Sequence, residues 1–113
     1  MGRDGKRLGP ALIAIAALAC GGESEEFDDP AAARGAKIYR NICLVCHNAD
    51  PNQAGALGPA IAGASRELLQ AKVLRGEYPA GYTPQRNTKQ MPQFNYLESN
   101  LDDIAAFLAS QRE

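Results

Sequence analysis

The sequence predicts a small all-α domain of about three short helices joined by long loops. Apolar residues recur at helical spacing in two segments, and no stretch alternates as a half-buried strand would. Asp29 and Ser65 can each cap a helical segment, and a last segment starts near Ser99 or Asn100. Between the segments the chain is dense in Gly, Pro and Asn, the residues of turns and loops. The length of 113 residues suits one small domain, and 45% apolar with 22% charged residues is too apolar for disorder and too mixed for a fibre.

The chain starts with a sorting segment. Arg3, Lys6 and Arg7 make a basic start, diluted by Asp4, and an apolar stretch follows from Leu8 to Ala19. Twelve residues at about 1.5 Å each span about 18 Å, well short of a bilayer's hydrocarbon core of about 30 Å. Residues 1–19 therefore read as a secretory signal, with small residues ahead of the cleavage point. Cys20 after Ala17-Leu18-Ala19 resembles the bacterial lipoprotein signal, in which the Cys is lipidated and becomes the new N-terminus. Ala17 departs from that motif, which usually has Leu, so cleavage as an ordinary soluble protein stays open. Cleavage before Cys20 leaves 94 residues.

Residues 20–29 read as an acidic flexible tether. The run from Gly21 to Asp29 carries five acids and no base, and cannot bury enough apolar area to order itself. Extended, those nine residues reach about 30 Å. The domain proper, residues 30–113, carries nine Lys/Arg against seven Asp/Glu, a mild surplus of +2 suited to acidic partner surfaces. The whole chain has a net charge of −1, which gives no electrostatic footprint for nucleic acid.

Asp29-Pro30 opens the first helix, with Asp as cap and Pro in the first turn. It runs to Cys43, with Gly35, Tyr39 and Cys43 along one face. Residues 44–64 form a loop. Ser65 caps a second helix through Arg75, which Gly76 stops. Residues 77–97, broken by Pro79, Gly81, Pro84 and Pro92, are irregular. So long a loop fits a compact domain only if it packs on something other than protein. The last helix has Asp102 and Asp103 in its first turn, favourable to the helix dipole, and a stripe of Leu101, Ile104, Ala105 and Leu108 widened by Phe107. Three such helices supply a thin core for a domain of this size.

Cys43-Leu-Val-Cys46-His47 is the C-x-x-C-H pattern of covalent haem attachment. Two thiols three residues apart leave one side of a helical turn, each able to form a thioether with a haem vinyl group. His47 follows at once and can bind iron. It is the only His in the sequence. A C-x-x-C redox motif wants a βαβ setting, which is missing here. A zinc site needs four ligands, and no second Cys/His pair exists. A disulfide between Cys43 and Cys46 closes a loop too short to stabilise much.

With that motif in place, residues 31–111 resemble the class I cytochromes c, small proteins with a single haem. Gly35-x-x-x-Tyr39-x-x-x-Cys43 is similar to the family's first helix, and Ile104 and Phe107 to the matching face of its last. The resemblance implies the cytochrome c fold, wrapped around one covalently bound haem c. Leu57-Gly58-Pro59 resembles the loop on the histidine side, which implies that the Pro59 carbonyl accepts a hydrogen bond from His47. Lys89-Gln90-Met91-Pro92-Gln93-Phe94 resembles the segment bearing the sixth iron ligand. The only other methionine is Met1, in the signal, so a thioether ligand here means Met91. The cofactor residues expected are thus Cys43 and Cys46 as thioether sites and His47 and Met91 as axial ligands, with Pro59 orienting His47.

No Trp is present, so haem propionates need another partner, for which Tyr78, Tyr82, Tyr96, Arg66 and Arg86 are unranked candidates. The resemblance implies outer-sphere transfer of single electrons between redox proteins, with no substrate transformed. Lys37, Arg40, Lys72, Arg75, Arg86 and Lys89 either ring the haem edge to steer an acidic partner or form a solvated surface. The expected setting is exported, on the periplasmic side of a bacterial membrane, anchored by lipid at Cys20 and monomeric. Two alternatives stay open: a haem subunit of a larger oxidoreductase, and a five-coordinate peroxidase or gas sensor.

Overall fold

The computed structural model describes residues 27–113; the signal segment, Cys20 and the acidic run as far as residue 26 lie outside the described residues. The first helix, α1 (Pro30–Asn41), is capped by Asp29, whose Oδ1 accepts a hydrogen bond from the Ala31 amide at 2.9 Å. The helix ends two residues before the expected Cys43. At Ile42 (φ −120°) the backbone leaves helical geometry, and a 3₁₀ turn, Cys43–Val45, follows. The His47 and Cys46 amides both donate to the Cys43 carbonyl, at 2.9 and 3.2 Å, so the cysteines and the histidine leave one tight turn.

The second helix, α2 (Arg66–Leu69), is capped by Ser65, whose hydroxyl accepts from the Leu68 amide at 3.1 Å. It widens into a π-helical turn, Gln70–Leu74, and the chain reverses at Gly76. Residues 77–94 hold no regular structure. A 3₁₀ segment, Asn95–Asn100, leads into α3 (Leu101–Ser110), which has Asp102 and Asp103 in its first turn. No strand occurs among the described residues, and the all-α expectation holds.

The core is built where α1 crosses α3. A Cβ on Gly35 would lie 2.0 Å from the Asp103 carbonyl oxygen and 2.9 Å from the Phe107 Cβ, so only glycine permits this approach. Tyr39, Phe107 and Leu108 are fully buried there, with the Tyr39 and Phe107 ring centroids 5.2 Å apart. Leu101 and Ile104 complete the predicted stripe, and Leu69 and Val73 bring α2 and the π turn onto the same cluster. Phe27, near the end of the acidic run, sets its ring edge against Phe107 at 5.8 Å. On the surface Arg34 pairs with Asp103 at 3.1 Å, which raises the pKa of the guanidinium through that hydrogen bond and the carboxylate's charge.

No helix among the described residues is long and apolar enough to cross a membrane.

Candidate functional site

Against Leu68, Leu69 and Val73 the chain forms a cavity of about 450 Å³ with a mostly apolar lining. That is the size and character of a pocket for a large organic group. The 3₁₀ turn contributes Cys43 and Cys46, the loop after it His47, Leu57, Gly58 and Pro59, and the irregular segment Met91 and Phe94. The five residues expected to hold a cofactor therefore line one cavity, although Met91 lies 48 positions after Cys43.

His47 is buried, and its ring is fixed from two directions. Its Nδ1 lies 2.9 Å from the Pro59 carbonyl oxygen. A carbonyl oxygen only accepts, so Nδ1 carries the proton and Nε2 keeps its lone pair for a metal. Gly58 provides the room: a Cβ there would sit 2.4 Å from the imidazole Nδ1 and Cε1. The loop is stitched back to the turn by the Leu57 and Gly58 amides, which donate to the Cys46 carbonyl at 3.2 and 2.9 Å.

Cys43 and Cys46 are free thiols, both partly buried. Burial pushes the Cys43 thiol up to about 11. Tyr39 secures the far end of the turn: its hydroxyl donates to the Asn48 carbonyl, next to His47. Desolvation pushes the Tyr39 phenol up to about 12. Asp50, in the turn beyond, is held below the usual carboxylate range chiefly by the Asn52 amide.

The five residues proposed to meet propionates separate into two groups. Tyr78, Tyr82, Tyr96 and Arg86 line the cavity. Arg66 lies at the surface, bonded to Asp102 at 2.6 Å. Among the surface cations Lys72 and Arg86 reach the wall, while Lys37, Arg40 and Lys89 are exposed and Arg75 pairs with Glu77 at 3.5 Å. Lys72 places its ammonium 4.5 Å from the Tyr78 ring centroid, and Tyr78 stacks on Tyr82 at 5.4 Å.

Sequence reasoning did not single out the apolar lining of Ile42, Ile61 and Leu68, nor Gln85, which donates to the Ala60 carbonyl at 2.8 Å. Such side chains sit in loops or on short helices, where no periodicity marks them. Among the described residues no three His, Cys, Asp or Glu side chains come together as a metal cage, so a zinc site has no ligand set there.

An all-α fold around a mostly apolar cavity, with a C-x-x-C-H turn in its lining and an imidazole oriented by its Nδ1–H, defines a haem-binding protein. A family model described as cytochrome c matches residues 32–112, and the chain belongs to that family, whose members bind haem c covalently. A search of curated proteins finds no match. The residues present fit the cofactor: two free thiols one turn apart, one oriented imidazole, and a cavity the protein's own side chains leave unfilled.

Proposed function

We propose that the chain is an exported single-electron carrier whose haem c is held by Cys43, Cys46, His47 and Met91. Family membership supports electron transfer as its work. The observation that carries the finer reading is that His47, with its Nδ1 already engaged by Pro59, and Met91 line the same mostly apolar cavity. A haem c bound here supplies an Fe(III)/Fe(II) couple, whose potential a thioether ligand shifts upward.

Each residue has a definite task. The Cys43 and Cys46 sulfurs tether the group by thioethers. For an iron bound here, the His47 Nε2 and the Met91 sulfur would be the protein ligands. Both residues are held by the fold, so neither would need to leave when the charge changes. The apolar lining keeps water out, which holds reorganisation small. Val45 and Leu57 lie in the wall yet are 79% and 52% exposed, so the rim is apolar, with Lys72 and Arg86 nearby. Such a rim suits brief contact with an acidic redox partner.

Equilibrium redox titration of the exported holoprotein tests this reading. A single one-electron wave is expected; a two-electron wave, or no wave with haem covalently present, contradicts it.

The proposal extends to location. Cleavage before Cys20 and lipidation there would hold the domain at the periplasmic face of a bacterial membrane, raising the local concentration of membrane-bound donors and acceptors such as a quinol oxidiser and a terminal oxidase or reductase. A Cys20→Ser protein is expected in the soluble fraction after cell lysis. Retention in the membrane pellet would contradict the anchor.

A further inference from the structure

A helix's last carbonyls have no partner within the helix and must find one elsewhere. In the π turn Gln70–Leu74 the Ala71 and Lys72 carbonyls are taken by the Glu77 and Gly76 amides, both at 3.0 Å. Val73 and Arg75 look further. The Val73 carbonyl accepts from the Phe94 amide at 2.7 Å, and the Arg75 carbonyl accepts from the Gln93 side-chain amide at 3.0 Å. The Gln93 side chain lies over Gly76: a Cβ built there would be 3.2 Å from its Nε2 and 3.5 Å from its Cγ. Met91 sits two residues before this pair of bonds, partly buried against the core.

We infer that Gln93 is a positioning residue: its side-chain amide, closing on the Arg75 carbonyl, fixes the segment that presents Met91 to the cavity. The inference rests on Met91 being an iron ligand. The irregular stretch 77–94 has no helix or strand to hold it, so the register of Met91 depends on a few side-chain bonds. The Phe94 bond is a backbone contact that most sequences could make. The Gln93 bond belongs to this side chain. Gln93 itself is exposed, so its replacement leaves the core intact.

The test measures how readily an outside ligand displaces Met91. Imidazole affinity of the oxidised holoprotein reports the fraction of molecules in which the sulfur has left the iron. Gln93→Ala and Gln93→Glu are compared with the wild type at neutral pH; glutamate keeps the shape and size of glutamine but has no N–H to donate. Losing one hydrogen bond should raise imidazole affinity roughly fivefold in both variants. The sulfur-to-iron absorption band should persist in the absence of imidazole. Wild-type affinity in both variants would overturn the proposal. An increase in Gln93→Ala alone would overturn it too, because packing and not donation would then be responsible. A wild-type protein lacking the sulfur-to-iron band would remove Met91 from the iron, and Gln93's role with it, while leaving the one-electron titration unaffected.

Discussion

The two halves of this molecule are built on opposite principles. Where α1 crosses α3, protein packs on protein until Gly35 has no room for a methyl group and Tyr39 and Leu108 have no exposed surface at all. In the cavity, which shares Leu69 and Val73 with that core, the chain leaves about 450 Å³ open, and most of the lining comes from loops. The first half makes a fold; the second makes a place for something that is not protein. The division teaches that core and cofactor share the work of stabilising so short a domain, since three short helices bury little by themselves.

Damage to the two halves should look different. Phe107 touches both Tyr39 and Phe27 and is almost completely buried, so Phe107→Ala is expected to cost about 3–5 kcal/mol. Chemical denaturation of the holoprotein measures this. The visible spectrum of the molecules that remain folded should not change, because the mutation lies in the crossing and not in the cavity wall.

Tyr39 joins the halves. Its ring packs in the crossing and its hydroxyl holds the Asn48 carbonyl beside His47. Tyr39→Phe keeps the ring and leaves that carbonyl without its partner, a loss of about 1–2 kcal/mol at pH 7. The pH dependence has a definite sign. The folded phenol is pushed up to about 12, above the ordinary value of 10.0, so the unfolded chain gives up its proton first. Wild-type stability should therefore fall as the pH rises from about 10 to about 12, and Tyr39→Phe should not share that fall. Equal alkaline loss in both proteins would show that the phenol is not the group responsible.

The same contrast explains what was legible in the sequence. Helical spacing and the Asp29 cap announce the crossing, and the Leu101, Ile104 and Phe107 stripe is buried as its period requires, although α3 starts without a side-chain cap. The cavity left no period to read. Its chemistry was visible only because C-x-x-C-H is a local motif, and because a chain with one His and two Met allows few ligand choices. The side-chain pattern carries α1 two residues past its end at Asn41, since the switch to a 3₁₀ turn at Cys43 is a matter of backbone dihedrals. Gln93 was invisible for a related reason: its partner, the Arg75 carbonyl, lies 18 residues away on the end of another element. Arg66 shows the converse, a candidate chosen by residue type that the fold spends on Asp102.

The most direct test of the proposed site is an absorption spectrum of the exported protein, oxidised and reduced, before and after adding carbon monoxide. His47 and Met91 on one iron predict a low-spin spectrum with sharp reduced bands, a weak far-red sulfur-to-iron band when oxidised, and no response to carbon monoxide. A high-spin spectrum that shifts with carbon monoxide would mean an open iron position, and would contradict Met91 as the sixth ligand.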